Sequence, residues 1–247
     1  MTRDENPFFE FLKKFNNEYS HLVHTNRPEN KLEAVIVESR NHPLLTSVIR
    51  NVMYFLGDEW NLHVYHGCEN AKLLERGLPD WNFRKTQLNF PNGSLSSQIY
   101  SRLLMSESFW KNSSADSILI FQVDTLLCRH GINEFLGYDY VGAPCGTEGT
   151  LNGGLSLRKR SVMLELIHRR PDLFENPTQE PEDTIFCRAL RLENKNLPSN
   201  RDASRFAVEA SFWKTPIGIH GTDKNYLNSQ QAQEIVDNIH LDQKTAA

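Results

Sequence analysis

Short apolar runs alternate with amphipathic stretches along most of this chain. "AVIVES" (34–39) is apolar and rich in β-branched residues, the mark of a parallel strand buried on both faces. "HPLLTSVIRNVMYFLG" (42–57) then places Leu44, Leu45, Val48, Ile49, Val52, Met53 and Leu56 at helical spacing, with Gly57 as the stop. "NLHVYHG" (61–67) predicts a second strand, and "NAKLLERG" (70–77) a short helix. "SLSSQIYSRLLMSESFW" (94–110) predicts a further helix, and "SILIFQVD" (117–124) a third strong strand. Such alternation predicts an α/β fold around a mainly parallel sheet.

The rhythm changes after Asp124. "YDYVGAPCGTEGTLNGGLSLR" (138–158) is rich in glycine and turn residues. Helical patterns follow at "KRSVMLELIHRR" (159–170) and "EPEDTIFCRALRLE" (180–193), the second with an acidic start. "RFAVEASFWKTPIGIHG" (205–221) reads as one or two strands, and the tail as polar and helical or frayed. Ahead of the first strand, Phe8, Phe11, Leu12 and Phe15 outline an amphipathic helix. The expected division is an N-terminal helix and linker (1–30), one α/β domain (31–225) and a C-terminal tail (226–247).

Composition narrows the classes. Of 247 residues, 39% are hydrophobic and 23% charged, ordinary for a soluble globular chain. A net charge of −4 speaks against a nucleic-acid partner, which calls for a basic surface. Cys68, Cys128, Cys145 and Cys187 are widely scattered, which predicts packed thiols in a reducing compartment. No apolar run approaches the roughly 18 residues of a membrane span, and the start "MTRDENPFFEFLKKF" is too charged for a signal peptide. The expected location is cytoplasmic. The alternative is the Golgi lumen for a chain cut from its anchor, as the sequons at Asn92 and Asn112 would allow.

Candidate chemistry gathers at a few places. In open parallel sheets, ligands bind beyond the carboxyl ends of the strands. Asp124 ends such a strand and faces either a cleft or a simple turn. Glu38, Ser39 and Arg40 end the first strand, as nucleotide-facing groups or as a local ion pair. Asn152 precedes paired glycines, which permit close backbone approach to a ligand or make a tight turn. Glu182 and Asp183 open a helix, where acids also serve as dipole partners. His220 ends an apolar segment, as a ligand or a structural histidine, with Lys224 shortly after.

The pieces "VIVESRNHPLLTSVIRNVMYFLG" (35–57), "ILIFQVDTLLC" (118–128), "YDYVGAPC" (138–145), "NGGLSLR" (152–158), "EDTIFC" (182–187) and "PIGIHG" (216–221) together resemble a domain family of unassigned function classed with the glycosyltransferase A fold. Two departures stand out. Val123 and Thr125 replace the middle and last residues of the family's usual "FQTDS", and Cys145 stands where an aromatic often follows "GAP".

The resemblance implies a nucleoside diphosphate sugar donor, a UDP-sugar first, and a hydroxyl acceptor on a glycan, protein or small molecule. It implies Asp124 as the last acid of the Asp-x-Asp motif of the wider fold, with Gln122 in the place of its first. It implies His220 as a further ligand to a divalent metal, Mn2+ or Mg2+, with metal independence as the alternative because Gln122 adds no charge. Lys224 would reach the diphosphate, Glu38, Arg40, Asn152 and Gly153 would line the donor site, and Asp183, or else Glu182, would be the base of an inverting transfer. Two rival readings are a nucleotide-sugar-binding module without catalysis and another metal-dependent enzyme acting on nucleotide phosphates. No phosphate-binding Gly-x-x-x-x-Gly-Lys loop and no second acid beside Asp124 favour the latter.

Overall fold

The run Leu32–Glu38 forms strand β1 at the centre of a six-stranded sheet in the computed structural model, which describes residues 6–89, 95–146, 150–175, 180–224 and 226–241. The other strands of the sheet are β2 (Trp60–His66), β3 (Arg84–Gln87), β4 (Ser117–Phe121), β6 (Tyr140–Pro144) and β7 (Leu151–Lys159). The order is β3-β2-β1-β4-β7-β6. The first four strands are parallel, and β7 and β6 complete the sheet in antiparallel fashion. A small second sheet joins β5 (Leu126–Leu127), β9 (Gly218–Ile219) and β8 (Ala207–Val208).

The period of two along each strand divides the core between the two faces. Ala34 and Ile36 of β1, with Leu119 and Phe121 of β4, lie in one apolar cluster; Val35 and Val37, with Ile118 and Ile120, lie in the other. The first face is covered by α1 (Pro7–Glu18), α2 (Leu45–Leu56), α3 (Ala71–Gly77), α10 (Ser229–Asp237) and the small sheet. The second is covered by α4 (Ser97–Met105), α5 (Glu107–Lys111), α6 (Arg160–Arg169), α7 (Pro171–Phe174) and α8 (Glu182–Leu192). Gly57, at φ +74, ends α2 as expected. No helix among the described residues is long and apolar enough to cross a membrane.

Three local expectations change. The single helical pattern from 94, whose first residue lies outside the described ones, is two helices over Ser97–Met105 and Glu107–Lys111, because the Ser106 hydroxyl leaves the first by donating to the Leu103 carbonyl and caps the second by accepting from the Phe109 N–H. The glycine-rich stretch 138–158 is mostly β6 and β7, and Asn152, Gly153 and Gly154 lie inside β7 rather than in a tight turn. Residues 205–221 begin at the end of a helix, α9 (Asn200–Phe206), and their strands β8 and β9 are two residues each. Phe8 and Leu12 of α1 and Ala232 and Ile235 of α10 are buried in the same core cluster as α2.

Candidate functional site

The carboxylate that follows the apolar run of β4 is not in the strand. Phe121 is its last residue, and Gln122 to Thr125 form a turn closed by the Thr125 N–H donating to the Gln122 carbonyl at 3.1 Å. The Gln122 N–H in turn donates to Thr125 Oγ1 at 3.2 Å. The Asp124 carbonyl accepts from both the N–H and the hydroxyl of Thr222, each at 3.0 Å. Asp124 is therefore held by its backbone at the carboxyl end of the parallel strands, which frees its side chain for other partners.

Those partners are His220 and Lys224. Asp124 Oδ1 lies 3.4 Å from His220 Nε2, and Oδ2 lies 3.6 Å from Lys224 Nζ. His220 Nε2 also stands 3.2 Å from Gln122 Oε1, and Nδ1 stands 3.2 Å from Glu209 Oε1. Burial alone would lower the pKa of His220, but Asp124 and Glu209 outweigh it and raise it to about 9. Burial would likewise raise the pKa of Asp124, and contact with His220 and Lys224 brings it down to about 2 instead. Both shifts favour an imidazolium against a carboxylate. Glycine makes this possible: a Cβ on Gly154 would overlap the His220 ring.

Asp124 Oδ1 and Gln122 Oε1 thus both lie within 3.4 Å of His220 Nε2. An octahedral ion with bonds of about 2.1 Å sets adjacent ligands roughly 3 Å apart, close to the spacings seen here. Among the described residues no group of three His, Cys, Asp or Glu could hold a metal. A cation held by these three would have one carboxylate, one imidazole and one amide oxygen, with positions left for water or phosphate oxygens. Glu209 on the far nitrogen is the type of outer partner that fixes the tautomer of a ligating histidine.

Asp124 and Lys224 open onto a cleft of about 360 Å³ that also takes in Gln122, Glu38, Arg40 and Asp223. Glu38 and Arg40 form the expected local ion pair. They form a forked pair, at 2.9 Å through Nε and 2.7 Å through Nη2, and they line the cleft. Asn70 fastens this strand end by donating to the Glu38 carbonyl at 2.7 Å and the Arg40 carbonyl at 3.1 Å.

The remaining candidates lie outside the lining of that cleft, on β7 and at the start of α8. Asp183 Oδ2 accepts from the Gly153 N–H at 2.9 Å, and Oδ1 accepts from the Thr184 N–H at 2.7 Å. Asn152 Oδ1 accepts from the Gly154 N–H at 2.7 Å. Glu182, the second choice as base, is committed elsewhere. Its two oxygens accept from Arg158 at 2.7 and 2.8 Å, and both side chains are buried. Arg158 also packs over Tyr140 and Phe186, at 4.6 and 5.6 Å from the ring centroids. Burial opposes its charge, and Glu182 outweighs burial, so the guanidinium stays protonated. A Cβ on Gly153 would meet Glu182 Oε1 at 2.5 Å, so this glycine admits the pair.

Four contributors escaped sequence reasoning: Glu209, Thr222, Arg158 and Gly154. Glu209 and Arg158 did leave a trace, as charges set within apolar segments, "FAVEA" and "GGLSLR".

The sequence model of one family, described as a protein of unknown function (DUF5672), matches residues 85–220. No curated protein matches the chain in sequence. Among solved structures, the glycosyltransferase GlyE of Streptococcus pneumoniae TIGR4 is similar with a TM-score of 0.50 at 12% identity, over 84% of this chain and 60% of that one. S. aureus TarS (1–349) gives 0.49 at 10% identity, over 84% and 70%. The mannosyltransferase PcManGT of Pyrobaculum calidifontis, in complex with GDP-Man and Mn2+, gives 0.40 at 14% identity, over 66% and 54%. The chain thus spans about 60% of the length of GlyE. At such identities the likeness is one of fold, a glycosyltransferase A-like α/β fold with a mostly parallel central sheet. With more than half of its residues matched, the chain belongs to the DUF5672 family.

Proposed function

We propose that this chain is a metal-assisted glycosyltransferase that moves a sugar from a nucleoside diphosphate, a UDP-sugar first, to a hydroxyl acceptor. The observation that carries this reading is the convergence of Asp124, Gln122 and His220 at one edge of the cleft, with Lys224 beside them. The fold it shares with GlyE supports the same reading.

Charge supplies the reason for a cation. The cleft is lined by three acids, Glu38, Asp124 and Asp223, against three basic side chains, Arg40, Lys224 and His42. Its own charges nearly cancel, so a diphosphate needs added positive charge there. Asp124, His220 through Nε2 and Gln122 would hold Mn2+ or Mg2+, which supplies electrostatic stabilisation of the departing diphosphate. Lys224 adds a cation at the same edge, and Glu209 orients the His220 ring. The acceptor hydroxyl must lose its proton as it attacks. Asp183 takes that proton in this reading, its oxygens positioned by the N–H groups of Gly153 and Thr184. Direct attack by the acceptor inverts the anomeric centre. Buried Arg158 and Glu182 keep the start of α8 against β7, so they position Asp183.

The test is release of UDP from a panel of UDP-sugars, with Mn2+ and a panel of hydroxyl acceptors. Activity lost in Asp183→Asn with UDP binding retained supports the assignment; full activity in that variant refutes it. UDP bound without turnover of any donor would favour the binding-module reading, for which Gln122 in place of an acid is the specific observation.

A further inference from the structure

The cleft has two unlike ends. Asp124, Lys224 and Asp223 make one end charged. Val37, Leu44, Leu95 and Phe9 add apolar wall, set among polar side chains that include the Glu38–Arg40 pair and Tyr100. Phe9 comes from α1, which lies wholly outside the family-matched residues 85–220. The neighbouring Phe8, with Leu12 and Phe15, is buried in the core. Phe9 is turned about 100° from Phe8 around the helix axis, only half-buried, and faces the cleft.

A second observation ties this helix to the charged end. Asn6, the N-cap of α1, accepts from the Phe8 N–H and donates through Nδ2 to the Thr222 carbonyl at 2.7 Å. Thr222 is the residue whose N–H and hydroxyl both hold the Asp124 carbonyl. One side chain therefore registers the first turn of α1 against the Asp124 turn across 216 residues of sequence. Phe9 lies within one helical turn of that clamp, so its place relative to Asp124 is set by bonding rather than by chance packing.

We propose that Phe9 is a specificity-determining residue, the apolar wall against which the nucleobase of the donor packs while its diphosphate meets the charged end. The inference rests on the donor-site reading above and adds that the N-terminal helix is part of that site. A ligand matching both ends carries a flat aromatic ring and a diphosphate on one molecule. Inorganic pyrophosphate would use the charged end alone.

The test is calorimetry on the full chain with UDP and with inorganic pyrophosphate, each with Mn2+. It compares wild type, Phe9→Ala and Phe9→Trp, with the melting temperature of each free protein as a check on folding. Contact between a base and an aromatic ring predicts that Phe9→Ala weakens UDP binding about tenfold or more. Pyrophosphate binding should stay as in wild type, and Phe9→Trp should retain UDP. Equal UDP affinity in wild type and Phe9→Ala would overturn the proposal, as would a parallel loss of pyrophosphate. Wild-type protein that binds pyrophosphate as tightly as UDP would overturn it alone. Wild-type protein that binds neither probe would overturn the donor-site reading with it.

Discussion

Two carboxylate–cation pairs flank the Gly153–Gly154 backbone, and they are built differently. Glu182 and Arg158 meet through two short hydrogen bonds, exclude solvent, and are ringed by Tyr140, Phe186 and Trp110. Asp124 and His220 meet at 3.4 Å, share their contacts with Gln122 and Lys224, and border a cleft. In the first pair the remaining polar atoms are spent inside the protein: Arg158 Nε donates to the Ser156 hydroxyl at 2.9 Å. In the second, donors and acceptors remain that a cation or phosphate can use. The same pair of charge types is a fastening in one place and a candidate binding site a few ångströms of backbone away. Completeness of hydrogen bonding, and not the charges, separates the two.

Breaking the closed pair should cost the most. Glu182→Gln leaves Arg158 buried without its counter-charge, and the expected loss of unfolding free energy is about 3–5 kcal/mol by urea denaturation. Arg158→Met combined with Glu182→Leu should recover much of it, since an apolar replacement removes both charges together. A loss under about 1 kcal/mol for Glu182→Gln would erase the contrast between the pairs.

The open pair should respond to pH instead. The pKa of His220 is raised from its ordinary value of 6.5 to about 9, so its contribution is complete below pH 6.5 and vanishes as pH rises through about 9. That contribution is on the order of 3 kcal/mol and should be absent in Asp124→Asn with Glu209→Gln. Asp124, lowered from 3.8 to about 2, contributes above pH 3.8 and loses its contribution as pH falls through about 2. Urea titrations in chelator from pH 6 to 10 would read the first window. Identical slopes for wild type and the double variant would count against an ionised pair.

Gly154→Ala should displace the imidazole at a cost of about 1–3 kcal/mol, the range of core overpacking. The stabilisation by Mn2+ in a thermal melt should vanish with it. The smallest effect sharpens the comparison from the other side. Gln122→Glu adds a charged ligand to the open cluster, and Mn2+ affinity should rise about tenfold, or 1.4 kcal/mol. Unchanged affinity would place Gln122 outside the metal shell.

Strands β1, β2 and β4 and helix α2 are legible in the sequence because local periodicity and one burial pattern agree there. Asp124, His220 and Lys224 were legible as residue types, and their meeting across 96 and 100 positions was expected only from the family resemblance, not from any local pattern. The Asn-Gly-Gly stretch misleads because its glycines serve packing rather than turning. One makes room for the ring of His220 and the other for the carboxylate of Glu182, and both intruders come from distant segments. Glu209 is marked in the sequence only as a charge within an apolar segment, and its role exists only once β8 and β9 pair. The clamp from Asn6 to Thr222 is likewise invisible to any local reading.

The most direct measurement is calorimetry of UDP binding to wild type and Asp124→Ala, each with and without Mn2+. The cluster of Asp124, Gln122 and His220 predicts that Mn2+ strengthens UDP binding in wild type and has no such effect in the variant. UDP binding that ignores Mn2+ in wild type, or that gains equally from it in both proteins, would contradict the assignment of this cluster.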